Sequence, residues 1–106
     1  MESSFHYNSS FKPQFKIGDY FIGQESPCFI VAEAGVSNFG SLEKAFQLVD
    51  SALNARADAV KFQFFNTEEL ISADCPEWIE RMKPKEMPIS FIKKISEYCK
   101  KKGILF

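Results

Sequence analysis

One histidine, three cysteines and five glycines are all that 106 residues hold of the types most used for metal, disulfide and phosphate chemistry. His6 has no histidine or cysteine near it in sequence and reads as a surface side chain, since a metal ligand needs partners. Cys28, Cys75 and Cys99 are odd in number and widely spaced. That fits neither a disulfide framework nor a zinc site, and leaves reduced thiols in a cytoplasmic protein. The glycines form no G-x-G-x-x-G fingerprint and no Walker motif: the loop Gly35–Gly40 reads GVSNFG. No apolar run approaches the roughly 20 residues that span a bilayer. The start, MESSFHYNSS, lacks the basic stretch and apolar core of a secretory signal. With a net charge of −1 there is no broad attraction to nucleic acid or an anionic membrane.

What is present is ordinary soluble-domain composition, 45% hydrophobic and 25% charged, with Phe supplying 12 of the aromatic residues. The length suits one domain with a modest core. Two stretches organise it. Phe29–Gly35 (FIVAEAG) is an apolar run that ends in a carboxylate, Glu33, and a glycine turn. Ala59–Phe65 (AVKFQFF) sets Lys61 and Gln63 in apolar surroundings.

The intervening segments carry clear periods. Residues 1–13, polar and Ser/Asn-rich, are expected to be a disordered tail. Residues 14–24 alternate around Gly18-Asp19, which predicts a short β-hairpin. A buried strand is expected at about 28–33. Ser41 then caps a helix of about four turns, whose apolar face is Leu42, Ala45, Phe46, Val49, Ala52 and Leu53. The second strand follows at about 59–64. A helical turn is expected within 66–73, and a short helix around Trp78, Ile79 and Met82. So long an excursion before the next main helix is often functional. That helix runs over about 89–101, with Phe91, Ile92, Ile95, Tyr98 and Cys99 on its apolar stripe. Lys100–Lys102 complement its dipole, and Gly103 stops it. Ile104–Phe106 reads as the opening of a third buried strand, so residues 14–106 read as a domain cut at its third strand, the N-terminal part of something longer.

Strand–helix–strand–helix–strand implies parallel strands, in either a doubly wound sheet or a (β/α)8 TIM barrel. Lys61 and Gln63, two apart, share a face. An open sheet would press that face against apolar helices, where an unpaired lysine costs several kcal/mol or more. A barrel would turn it towards the active-site mouth, where Glu33 can meet Lys61. Lys61 can neutralise a phosphate or carboxylate, or form a Schiff base. Glu33 can act as a general base or hold a hydroxyl or a water, and Gln63 can hydrogen-bond a polar substrate. A plain ion pair across two strands, without catalysis, accounts equally well for the spacing.

Phe29–Gly35, Gly40–Leu42 (GSL), the helix to Ala55 and Ala57–Gln63 (ADAVKFQ) together resemble the N-terminus of the N-acetylneuraminate (sialic acid) synthase family, whose pattern is approximately IIAEAGxNHNG, a helix, then AGADAVKFQTF. The flanks KIGDYFIGQESPC and SEYCKKKGILF are similar to its leading hairpin and its second helix and third strand. The resemblance covers about residues 15–106. It implies the N-terminal portion of a TIM barrel, about three parallel strands preceded by a short β-hairpin. It also implies a cytoplasmic enzyme, a homodimer in its full-length form, that condenses phosphoenolpyruvate with N-acetylmannosamine or a related N-acetylated amino sugar. A divalent metal, Mn2+ or Mg2+, would assist, with its ligands on later strands. Carried over, Lys61 holds phosphoenolpyruvate, Glu33 and Gln63 line the sugar side, and Asn38 is a further substrate-binding candidate. Ser37, Asn38 and Phe39 stand where the family has Asn-His-Asn, and Phe64 where it has Thr. Both departures bear on the acceptor sugar. The resemblance also implies that 106 residues alone are not catalytically competent. A non-catalytic barrel-derived binding module and a Lys61 Schiff-base aldolase are the alternatives.

Overall fold

A computed structural model describes residues 12–106. His6 and most of the expected N-terminal tail, residues 1–11, lie outside the described residues. The hairpin forms as its alternation demands: β1 (Gln14–Ile17) pairs antiparallel with β2 (Tyr20–Gly23), in a register running from Gln14↔Gly23 to Ile17↔Tyr20. Gly18 makes the turn at φ +56°.

The α/β unit follows. β3 (Val31–Gly35) leads to α1 (Leu42–Asn54), then to β4 (Ala59–Phe62), which lies parallel to β3 with Glu33 opposite Lys61. Two short helices, α2 (Thr67–Leu70) and α3 (Pro76–Met82), and a 3-10 turn at Lys83–Lys85 occupy the long excursion. α4 (Ile89–Lys102) returns the chain to the sheet. There Leu105 bridges Ala59 in parallel, and Val60 N–H donates to the Leu105 carbonyl at 2.9 Å.

The core sits between the sheet and the two main helices. Ala45, Val49 and Ala52 of α1 meet Ile95 and Cys99 of α4 over Ala34 and Val60. Burial of a Val or Ile side chain stabilises by about 1.5–3 kcal/mol, so these few contacts hold the layers together. Capping follows the sequence. Ser41 Oγ accepts from Lys44 N–H at 3.3 Å, and Gly103, left-handed at φ +82°, sends its N–H back to Cys99 and Lys100 carbonyls. At the outer seam Phe46 and Tyr98 stack 4.3 Å apart, and Tyr98 O–H donates to Asp50 Oδ1 at 2.8 Å.

Three boundaries differ from expectation. The first parallel strand begins at Val31 rather than 28, because Asp58 intervenes ahead of it. Asp58 Oδ2 accepts from Ile30 N–H at 2.7 Å, while the Asp58 N–H donates to the Ile30 carbonyl, taking up groups that would otherwise extend a ladder. The second strand ends at Phe62, not 64. The third strand is present as a single bridge at Leu105 rather than as a laddered strand. The described residues thus form a hairpin and a two-stranded parallel sheet joined by a third bridge.

Candidate active site

The parallel pair has two unlike faces. Ala32 and Ala34 of β3 and Val60 and Phe62 of β4 point at the helices and are buried or half-buried. Val31 and Glu33, with Lys61 and Gln63, point the other way and are exposed. Period-two alternation is the cause, and it puts every charged group of these strands on the uncovered face.

Glu33 and Lys61 are ladder partners, and their side chains meet: Lys61 Nζ lies 3.0 Å from Glu33 Oε2. Both remain more than half exposed, at 53% and 62%, so water screens the pair and it adds at most about 1 kcal/mol to stability. Gln63 completes the group. Its N–H donates to the Gly35 carbonyl at 3.0 Å. A methyl placed on Gly35 would lie 3.3 Å from Gln63 Oε1 and 3.5 Å from Glu33 Oε1, so the two side chains flank that glycine. Gly35 sits at φ +57°, where only glycine turns freely, and a bulge between Glu33 and Gly35 ends the regular ladder. A cation, a carboxylate and an amide therefore converge at the C-terminal ends of two adjacent parallel strands, where α/β folds place their chemistry.

Asn38 is not part of that group. It is fully buried in the loop after β3, where Nδ2 donates to Met87 Sδ at 3.0 Å and to the Ser41 carbonyl at 3.3 Å. Its Oδ1 is buried with no partner. In this structure it fastens the loop and faces no solvent. Its neighbour Phe39 is exposed, left-handed at φ +47°, with Lys85 Nζ 5.2 Å from its ring centre. Phe64 is exposed as well.

Residues that sequence reasoning did not single out close the excursion onto this loop. Glu86 accepts a short hydrogen bond from Thr67 N–H at the start of α2. The Thr67 hydroxyl and N–H, with Lys83 nearby, hold the Glu86 carboxyl below its ordinary range. The N–H supplies the well-formed bond, because Thr67 Oγ1 is buried without a partner of good geometry. Lys83 also reaches Glu68 at 3.2 Å. Thr67 and Glu86 are 19 residues apart, and Glu68 and Lys83 are 15 apart, beyond any helical or strand period. Among the described residues no group of three or more His, Cys, Asp or Glu side chains could hold a metal ion. A cavity of about 420 Å³ lies at the other end of the sheet, where Tyr20, Phe29 and Cys28 face Asp58. No helix among the described residues is long and apolar enough to cross a membrane.

The chain is similar in sequence and fold to known proteins. Residues 48–106 match the NeuB family. The spore coat polysaccharide biosynthesis protein SpsE of Bacillus subtilis is 34% identical over 102 residues, which is 87% of this chain and 27% of that protein. An N,N'-diacetyllegionaminic acid synthase of Legionella pneumophila is 48% identical over 50 residues, 47% of this chain and 14% of that one. The crystal structure of an N-acetylneuraminic acid (sialic acid) synthetase from Leptospira borgpetersenii, in complex with citrate, superimposes with a TM-score of 0.82 at 36% identity, over 88% of this chain and 32% of that one. The chain thus spans about a quarter of the length of the curated relative SpsE. Over half of its residues match the family, and its fold matches the corresponding part of a sialic acid synthetase structure: the chain belongs to the NeuB family.

Proposed function

We propose that this chain carries the first substrate-facing strands of a TIM-barrel synthase that condenses phosphoenolpyruvate with N-acetylmannosamine or a related N-acetylated amino sugar. The observation that carries the reading is the Glu33–Lys61 pair at 3.0 Å with Gln63 beside it, on the face of the sheet that the helices leave open. In this reading the Lys61 ammonium exchanges part of its contact with Glu33 for the carboxylate or phosphate of phosphoenolpyruvate. C3 of the enol forms a bond to the carbonyl carbon of the open-chain sugar, whose oxygen takes the electron pair and a proton. Water then adds at C2 and inorganic phosphate leaves. Glu33 orients the sugar hydroxyl or the water and holds its proton, while Gln63 fixes a polar group by hydrogen bonding. A divalent metal, Mn2+ or Mg2+, belongs to the same proposal and would polarise the sugar carbonyl; among the described residues no group of three or more His, Cys, Asp or Glu side chains could hold it, so the roles assigned here are those of Glu33, Lys61 and Gln63. A cytoplasmic homodimer in the full-length form belongs to the same proposal.

The test is release of phosphate from phosphoenolpyruvate in the presence of a panel of N-acetylated amino sugars, with the chain assayed alone and within its extended reading frame. Turnover is expected in the extended protein only, with Lys61→Ala abolishing it. Absence of turnover with the whole panel overturns the reading. It would favour a binding module, which the exposed Phe39 and Phe64 and the buried Asn38 at this end of the sheet suit. Borohydride trapping of pyruvate on Lys61 would instead support an aldolase.

A further inference from the structure

The dipeptide Glu86-Met87 touches both loops that leave the C-terminal ends of β3 and β4. Glu86 takes the N–H of Thr67, four residues beyond Gln63. Met87, itself buried, takes the side-chain amide of Asn38, three residues beyond Gly35. The backbone just before it presses on the same loop: a methyl on Gly40 would meet the Glu86 carbonyl at 2.8 Å and the Pro84 carbonyl at 3.0 Å. Lys83 draws in from the side, 3.9 Å from Glu86 and 3.2 Å from Glu68. Thr67 and Asn38 are both fully buried under this cover.

We infer that Glu86 is a positioning residue. Its carboxylate closes the excursion of residues 66–88 on itself at Thr67, and the adjoining Met87 side chain and Pro84–Glu86 backbone seat that closed excursion on the loop of residues 36–40, which fixes the spacing of the two loops between which Glu33, Lys61 and Gln63 act. The lock rests on geometry alone; that it shapes a sugar-binding wall rests on the proposed function. The carboxylate is the keystone because its acceptor oxygen is charged, and a charge-assisted hydrogen bond to a backbone N–H is roughly twice as strong as a neutral one. Met87 transmits the hold to Asn38, whose partner sulfur lies 49 residues away in sequence.

Hydrogen exchange on this chain, with Glu86→Ala, Glu86→Gln and Met87→Leu, tests the lock. Trp78, the single tryptophan, sits within the excursion and gives an optical readout. Glu86→Ala is expected to speed exchange at Thr67, Ser37, Phe39 and Ser41 by about tenfold or more, the loss of one charge-assisted bond. Amides of α1 and α4 stay unchanged, and Trp78 fluorescence responds to denaturant ahead of the far-UV signal. Glu86→Gln, which keeps an acceptor oxygen but loses the charge, is expected to fall between Glu86→Ala and the parent chain in both exchange and the separation of the two transitions. Met87→Leu keeps the volume and removes the sulfur acceptor, so it should loosen Ser37, Phe39 and Ser41 but not Thr67. Unchanged exchange at these four amides in Glu86→Ala overturns the inference. So does equal acceleration through α1 and α4, which would mark a residue of general stability only. None of these readouts needs turnover, so a failed synthase assay leaves them standing.

Discussion

Replacing Gly40 with alanine tests how tightly the excursion is seated. Gly40 adopts φ +69°, and the added methyl would sit 2.8 Å and 3.0 Å from two backbone carbonyl oxygens that cannot swing away as a flexible side chain could. The left-handed backbone alone costs an L-residue about 1–2 kcal/mol. Overpacking against fixed atoms adds about 1–3 kcal/mol, for a total of about 2–5 kcal/mol. Gly103 provides the control, because it is also left-handed, at φ +82°, but its methyl would meet nothing within 4 Å. Gly103→Ala should therefore show the backbone cost alone, about 1–2 kcal/mol. Urea unfolding followed by far-UV circular dichroism reads both, and with slopes of about 1–3 kcal/mol per molar the Gly40 variant's midpoint should fall roughly twice as far. Equal midpoints for the two variants would refute the close approach of Pro84–Glu86 to the loop after β3.

Four further outcomes are expected. Glu33→Ala and Lys61→Ala should each change stability by less than about 1 kcal/mol, measured by the same urea titration, because the pair is more than half exposed; the proposed function expects each to abolish phosphate release from phosphoenolpyruvate. A thiol reagent at neutral pH should label Cys28 and Cys75, which are exposed, and spare Cys99, which is fully buried with its thiol pushed up to about 11 by desolvation. The pH profile should bend at both ends. Glu86 titrates below its usual 4.5 when folded, so its contribution is full above that value and is lost as pH falls through the folded value. Tyr98 titrates above its usual 10.0, mainly because it donates to Asp50, so its contribution is full below that value and is lost as pH rises through the folded value; Glu86→Gln and Tyr98→Phe should flatten the respective limbs. Sedimentation of the chain by itself should show self-association, since Phe15, Phe21, Ile30, Val31, Ile89 and Phe106 are large apolar side chains left exposed; a stable monomer would count against those surfaces being sticky.

The hairpin, both main helices and the two parallel strands were legible because each is a local pattern. Alternation about Gly18-Asp19 made the hairpin, and apolar residues at helical spacing from Leu42 to Leu53 made α1. The Glu33–Lys61–Gln63 group was legible for the same reason, as side-chain direction along a strand follows from counting by two. Asn38 shows where such reading ends. A short polar residue in a loop looks solvent-facing, and only Met87, 49 residues on, buries it. Glu86 was illegible likewise, since its partner Thr67 lies 19 residues back across two short helices. Asp58 shortened the first parallel strand by a hydrogen bond to Ile30, 28 residues earlier, which no periodicity announces.

The bulge between Glu33 and Gly35 makes β3 intolerant of length change. Up to Glu33 the strand is in step with β4; beyond it the count slips and the chain turns away. Inserting or deleting one residue between Val31 and Glu33 would send the carboxylate into the helix layer and bring an alanine opposite Lys61. The turn around Ser72–Cys75, exposed and free of any ladder, carries no such phase to lose. Length variation among natural relatives should accumulate there and be absent from the five residues of β3.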